Sequence, residues 1–208
     1  MLKQFNDTFR ADIGRAIARI ESQSHSEWVV LVKERADSYA QYPLGLGSAL
    51  AFLALTYFRF APEVFDEWVI YAGTITAFVL GAALTAGLPG LLRRAVGRKR
   101  LERSTEILAR ACFQKGGIHH TRDKTGVLVF VAVWERQVAI IPDRGVESAI
   151  PPGEWLKIRQ DLNGVFQAKN PAAELVARLE GLQTTFSRYI PQVEDDTNEL
   201  PDHLEIDL

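Results

Sequence analysis

Two aspartates, Asp123 and Asp143, stand just before and just after a pair of strand-like segments, Gly126 to Val133 and Gln137 to Ile141. Antiparallel pairing of those segments brings both carboxylates to one edge of a sheet. Neighbouring carboxylates can hold Ca²⁺ or Mg²⁺, or divide acid and base roles if their environments differ. His119 and His120 precede the first aspartate, and Arg122, Lys124 and Arg144 flank the two acids. Such a set allows a His/Asp metal cluster, or a loop whose cations hold a phosphate. Each residue also has a simpler use, which is preferred. Aspartate caps turns, and adjacent histidines on an extended segment point to opposite sides, so that both do not readily bind one ion. The metal candidates are therefore Asp123 and Asp143 first, then His119 and His120. Glu135 and Arg136 read as a turn that closes the hairpin, and Cys112 as a small core residue on the apolar face of its helix. Cys112 is the one cysteine, so an intramolecular disulfide and a Cys-rich zinc framework are excluded. His25 and His203 lack matching partners in sequence. There is no Gly-rich phosphate loop, Ser-centred nucleophile elbow or HExxH motif.

The elements that must position these residues follow from periodicity. Phe5, Phe9, Ile13, Ile17 and Ile20 recur every three or four residues and define one face of an opening helix. Glu27 to Lys33 then reads as a strand whose continuous apolar centre implies burial on both faces. One helix and one strand cannot bury a core alone. Their complement comes later: a helix from Arg98 to Lys115 stopped by Gly116-Gly117, the two hairpin strands, a helix from Glu154 to about Ala168, and a helix from Ala172 to Tyr189 led by Pro171. The predicted fold is α/β, a small central sheet covered by helices as an αβ sandwich. Its first strand pairs with strands far along the chain, so the domain is discontinuous.

The interruption explains the hydropathy. A mean of −0.03 is high for a chain with 24% charged residues, so the apolar residues must be concentrated. They lie between Tyr42 and Leu92, and Trp68 to Leu92 holds 25 residues without a charge. A helix of about 20 apolar residues crosses a bilayer. Two spans are predicted, about 42–61 and 68–92, forming a transmembrane helical hairpin. The first 40 residues carry many charges and no apolar core segment, which excludes a cleaved signal peptide. Arg93, Arg94, Arg98, Lys99, Arg100 and Arg103 follow the second span, whereas the turn between the spans carries Glu63, Asp66 and Glu67 against Arg59. The positive-inside rule then puts both termini in the cytoplasm and the turn outside. A net charge of −2 argues against a general nucleic-acid binder, and the basic segment reads as a topology signal that meets the lipid bilayer. The predicted parts are 1–41 and 93–190 as two halves of a cytoplasmic domain, 42–92 as the anchor, and 191–208 as an exposed, mobile tail with seven acidic residues.

The run from Lys124 to Gly145 resembles the TPM-domain family, which includes bacterial membrane and secreted proteins and a plant thylakoid lumen protein linked to photosystem II repair. The likeness lies in an opening helix leading to a Ser-Glu-plus-apolar strand (Ser26 to Val32), a Gly-Val-Leu strand at Gly126, the Glu135-Arg136 turn, and Asp143-x-Gly145. One subgroup inserts two membrane spans between the first strand and the second half and ends near Asn198 to Asp202. The sequence departs from the commoner Asp-Asn-Gly form in having Asp123-Lys124-Thr125-Gly126. The resemblance implies a sheet with helices on both sides; phosphatase activity and calcium binding have been attributed to some members. The expected function is a protein of the bacterial inner membrane whose cytoplasmic domain binds a membrane or cytoplasmic protein partner. The alternative is a Ca²⁺- or Mg²⁺-assisted phosphatase.

Overall fold

The computed structural model describes residues 4–193 and 204–207. The chain forms two compact units, Met1–Asp37 with Glu102–Leu208, and Ser38–Leu101. In the first unit, helix α1 (Asp7–Glu21) opens on Asn6, whose side chain accepts the Phe9 N–H, as an N-cap should. Its apolar stripe, Phe9, Ile13, Ile17 and Ile20, is buried. Strand β1 (Glu27–Lys33) pairs in parallel with β2 (Gly126–Ala132), Glu27 opposite Gly126. Strand β3 (Gln137–Pro142) returns antiparallel to β2 through a turn in which Arg136 has φ of 57°. Every residue of β2 is buried, as expected of a central strand covered on both faces.

Two cores follow from the two faces of the sheet. On one, Val30, Val32, Val127, Val129, Val131 and Ile140 pack with α1, with α7 (Pro152–Asn163) and with α8 (Pro171–Tyr189). On the other, Leu31, Leu128, Phe130 and Ile141 meet Ala109 and Phe113 of helix α5 (Arg98–Lys115). The αβ sandwich is thus present, with a short strand β4 (Leu204–Asp207) inside the stretch read from sequence as a tail. It pairs in parallel with β1, Val30 opposite Leu204, giving the order β3-β2-β1-β4. Asn198 to Asp202 and His203 lie outside the described residues.

Three local differences from the sequence reading have identifiable causes. A short helix α6 (Arg144–Ala149) follows β3, capped by Asp143. Helix α7 stops at Asn163, and Val165–Gln167 form a separate 3₁₀ turn at Gly164, which Arg178 of α8 crowds. Glu135 stands in the hairpin turn as read from sequence, but its side chain is 1% exposed and its carboxylate accepts the Ala36 N–H at 2.9 Å.

The second unit is the apolar hairpin. Helices α2 (Gln41–Phe60) and α3 (Glu67–Gly87) are long and apolar enough to cross a membrane, and only 6% and 11% of their most apolar windows are buried. They meet through glycines: a Cβ on Gly47 would lie 2.8 Å from the Phe78 carbonyl oxygen, and one on Gly81 would lie 3.0 Å from the Gly47 Cα. Small residues at a crossing let helix backbones approach this closely. The second apolar run is divided rather than continuous to Leu92. Leu88 leaves helical geometry, and Pro89, which cannot donate into the preceding turn, opens the separate helix α4 (Pro89–Val96).

Candidate functional site

The loop before β2 is built around Thr121, which is 2% exposed and accepts the Thr125 N–H on its hydroxyl and the Lys124 N–H on its carbonyl. Lys124 takes a φ of 58° to complete the turn, and its ammonium donates to the His119 carbonyl at 2.7 Å. The Asp143 and Gly145 amides then donate to the Gly126 and Lys124 carbonyls at 2.8 and 3.0 Å. The segments bearing Asp123 and Asp143 are therefore stitched together at one edge of the sheet.

Their carboxylates have separate engagements. Asp123 is more than half exposed and meets His25 Nε2 at 2.9 Å. Asp143 is 8% exposed and accepts the Arg144 N–H at 2.7 Å on Oδ1 as the cap of α6. Its Oδ2 is buried with no hydrogen-bond partner among the described residues. A buried carboxylate oxygen without a donor is costly, so this atom marks a place for a cation or a donor. Asp143 lines a cavity of about 300 Å³ with Arg110, Phe113, Gln114, Arg144 and Glu147.

The histidines do not lie on an extended segment. Ile118–His120 form a 3₁₀ turn, which brings the two rings to 4.0 Å between centroids rather than to opposite sides. His119 also stands 6.3 Å from the Phe113 ring, and its Nδ1 is buried without a hydrogen-bond partner among the described residues. Among the described residues, no three His, Cys, Asp or Glu side chains gather as a metal-binding group. A Ca²⁺ ion, which takes six to eight oxygens, is poorly matched by what the side chains supply here. Mg²⁺ is a better fit, since one or two carboxylates, waters and a substrate phosphate complete its shell.

Sequence reasoning missed Arg110, Glu147 and the His25 contact. Arg110 lies on the charged side of α5 and Glu147 on an unforeseen helix, while His25 reaches Asp123 only through the parallel pairing of β1 with β2. The edge of β3 was missed as well. The Asp143–Gly126 bond fixes the ladder phase, so Gln137, Ala139 and Ile141 bond to β2 and the amides of Val138 and Ile140 point away from it. A groove of about 230 Å³ runs along this edge, with Glu102, Glu106 and Arg110 of α5 on one side and Arg159 and Asn163 of α7 on the other.

Residues 96–184 match the family model described as the TPM domain. The match begins where the apolar hairpin ends and holds the second half of the discontinuous domain, leaving α1 and β1 before the insertion. Among solved structures, the chain is similar to the BA42 protein of the psychrophilic bacterium Bizionia argentinensis, an NMR structure. The TM-score is 0.58 at 16% identity, over 97% of this chain and 94% of that one. That likeness is one of fold. The search of curated proteins gave no match.

Proposed function

We propose that this chain, which carries a TPM domain over residues 96–184, is an integral protein of the bacterial inner membrane whose cytoplasmic α/β domain binds a protein partner. One observation carries the reading: α2 and α3 bury only 6% and 11% of their most apolar stretches, leaving Phe52, Leu53, Trp68, Ile75 and Leu80 outward. Water is a poor solvent for such a surface, and hydrocarbon a good one. The acids Glu63, Asp66 and Glu67 at the turn and the cations after α3 favour a cytoplasmic placement of both termini. For binding, the edge of β3 offers the outward backbone groups of Val138 and Ile140, which an extended segment of a partner would satisfy. The test is photocrosslinking in native membranes from a probe at Gln137, with the same probe at exposed Leu156 as control. A partner captured only from Gln137 supports the reading; equal capture from both, or none from either, overturns it. A reporter after Leu208 should be active only in the cytoplasm, and one between Pro62 and Glu67 only outside.

The unpartnered Oδ2 of Asp143 favours a second reading, a metal-assisted phosphatase. Asp143 would hold Mg²⁺, with Glu147 beside it, and Arg110 and Arg144 would orient the phosphate. The ion would neutralise phosphate charge when bound. Asp123 would join only by leaving His25, and His119 through its free Nδ1; His120 follows from adjacency alone. Mg²⁺-dependent hydrolysis of a phosphomonoester, lost in Asp143→Asn, supports this reading, and an unchanged rate in that variant refutes it.

A further inference from the structure

The segment that leaves the hairpin has a construction that neither the spans nor the TPM domain requires. Helix α3 ends at Gly87, and α4 begins at Pro89 as a separate amphipathic helix. Leu92 and Val96 are buried, whereas Leu88 and Leu91 remain 48% and 43% exposed. Arg94 lies three residues after Leu91, on the same exposed side. Gly97, at φ of 81°, turns the chain into α5, whose first residues Arg98, Lys99 and Arg100 are all exposed. From Arg93 to Leu101 the chain has five cations and no carboxylate. The acids of this unit, Glu63, Asp66 and Glu67, sit at the other end of the hairpin.

We propose that α4 and the first turn of α5 form a binding surface for anionic glycerophospholipids, with α4 lying in the headgroup layer. The inference rests on the reading that α2 and α3 cross a membrane. Two chemistries coincide on this surface. Leu88 and Leu91 suit the upper acyl region, and the cations suit headgroup phosphates just above it. A nucleic acid would use the cations but would give exposed leucines nothing. Long arginine and lysine stems can lie along the apolar layer while their charged ends reach the phosphates. A basic segment directly after a span, on the cytoplasmic side, meets the leaflet that carries the anionic lipid. The break at Leu88–Pro89 gives α4 its own direction, which a continuous α3 would have denied it.

The test uses the full chain reconstituted in vesicles of phosphatidylcholine with phosphatidylglycerol, probed by spin-labelled forms of each lipid. One cation near the surface contributes about a fivefold preference. Phosphatidylglycerol should therefore exceed phosphatidylcholine in association with the wild-type protein by about that factor, and raised salt should reduce the preference. The Arg94→Gln, Lys99→Gln, Arg100→Gln triple variant should lower the preference, with Arg93 and Arg98 left to supply what remains. The double variant Arg94→Lys, Arg100→Lys should keep the preference, because point charge suffices. All three proteins should have the same far-ultraviolet circular dichroism. Equal association of the two lipids with the wild-type protein overturns the proposal, as does an unchanged preference in the triple variant. Displacement of the labelled phosphatidylglycerol by an equimolar oligonucleotide overturns it too, in favour of a nucleic-acid site. Extraction of the wild-type protein by alkaline carbonate would instead overturn the membrane reading on which the proposal rests. Retention in the membrane with lipid parity removes the lipid site alone.

Discussion

Replacing Gly145 with alanine should open the sheet edge that joins Asp123 and Asp143. The need for glycine here is spatial, since Gly145 is not among the residues with positive φ. A Cβ would stand 2.5 Å from the Asp123 carbonyl oxygen and 2.7 Å from that of Lys124, and both obstacles are backbone. Carbon and oxygen rarely approach within about 3.3 Å, so the two segments must separate by nearly 1 Å. The Gly145 N–H bond to Lys124, now 3.0 Å, would be lost or badly stretched. Overpacking costs about 1–3 kcal/mol and a lost hydrogen bond about 1, giving about 2–4 kcal/mol together. At about 2–4 °C per kcal/mol for a domain of this size, thermal unfolding should fall by roughly 5–15 °C. Near-ultraviolet circular dichroism of the full chain in detergent would follow the transition. Gly14→Ala is the internal control: it sits within α1 with nothing within 4 Å of its Cβ, so it should stabilise the domain by about 0.5–1 kcal/mol. A Gly145→Ala protein that unfolds within 2 °C of wild type would refute the reasoning.

Glu135→Ala should cost about 2–4 kcal/mol, because it leaves a hole and deprives the Ala36 N–H of its acceptor, whereas Glu135→Gln keeps an acceptor oxygen and should cost clearly less. Denaturant unfolding of both variants checks the order, and equal losses contradict it. In the hairpin, Gly47→Ile should loosen the packing of α2 on α3 by about 1–3 kcal/mol, while Gly45→Ile, with nothing near its Cβ, should not. Unfolding of the reconstituted protein by dodecyl sulfate distinguishes the two. The hydrogen bond and charge of Glu154 raise the Lys157 ammonium above its ordinary value of 10.5. The pair's contribution is therefore whole below pH 10.5 and is lost as pH rises through the higher folded value. A Lys157 Nζ that titrates below 10.5 by NMR would contradict this.

Much of the architecture can be read from local patterns. The stripe from Phe9 to Ile20, the continuous apolar run of β2 and the chargeless run after Trp68 each specify an element without reference to the rest of the chain. What could not be read depends on partners distant in sequence. The buried side chain of Glu135 cannot be read until Ala36 is placed beside it, and Asp123 looks free for a metal until β1 brings His25 to it. The end of α3 was obscured because Leu88 and Pro89 keep the apolar composition while breaking the geometry. Strand β4 was hidden for the opposite reason: four residues in an acidic segment show too little pattern, and only the open edge of β1 selects them. The approach of the Asp123 and Asp143 segments was legible from the hairpin, but the direction of their carboxylates was not. Side-chain rotation is decided by the cap on α6 and the ring of His25.

The parallel pairing of β1 with β2 also orders events at the ribosome. Glu27 lies opposite Gly126, and the whole apolar hairpin lies between them in the chain. Synthesis therefore completes α2 and α3 before the first residue of β2 exists, and β1 must wait with its apolar faces unpaired. Closing so long a loop is usually slow, because its entropy is lost before any contact rewards it. Here much of the intervening chain is not a free loop, because α2 and α3 pack closely on one another through Gly47 and Gly81. Formation of the hairpin would then come before completion of the sheet and shorten the free chain that its closure must order. A chain whose hairpin failed to form would carry an unfinished β1 edge, open to pairing with other unfinished copies.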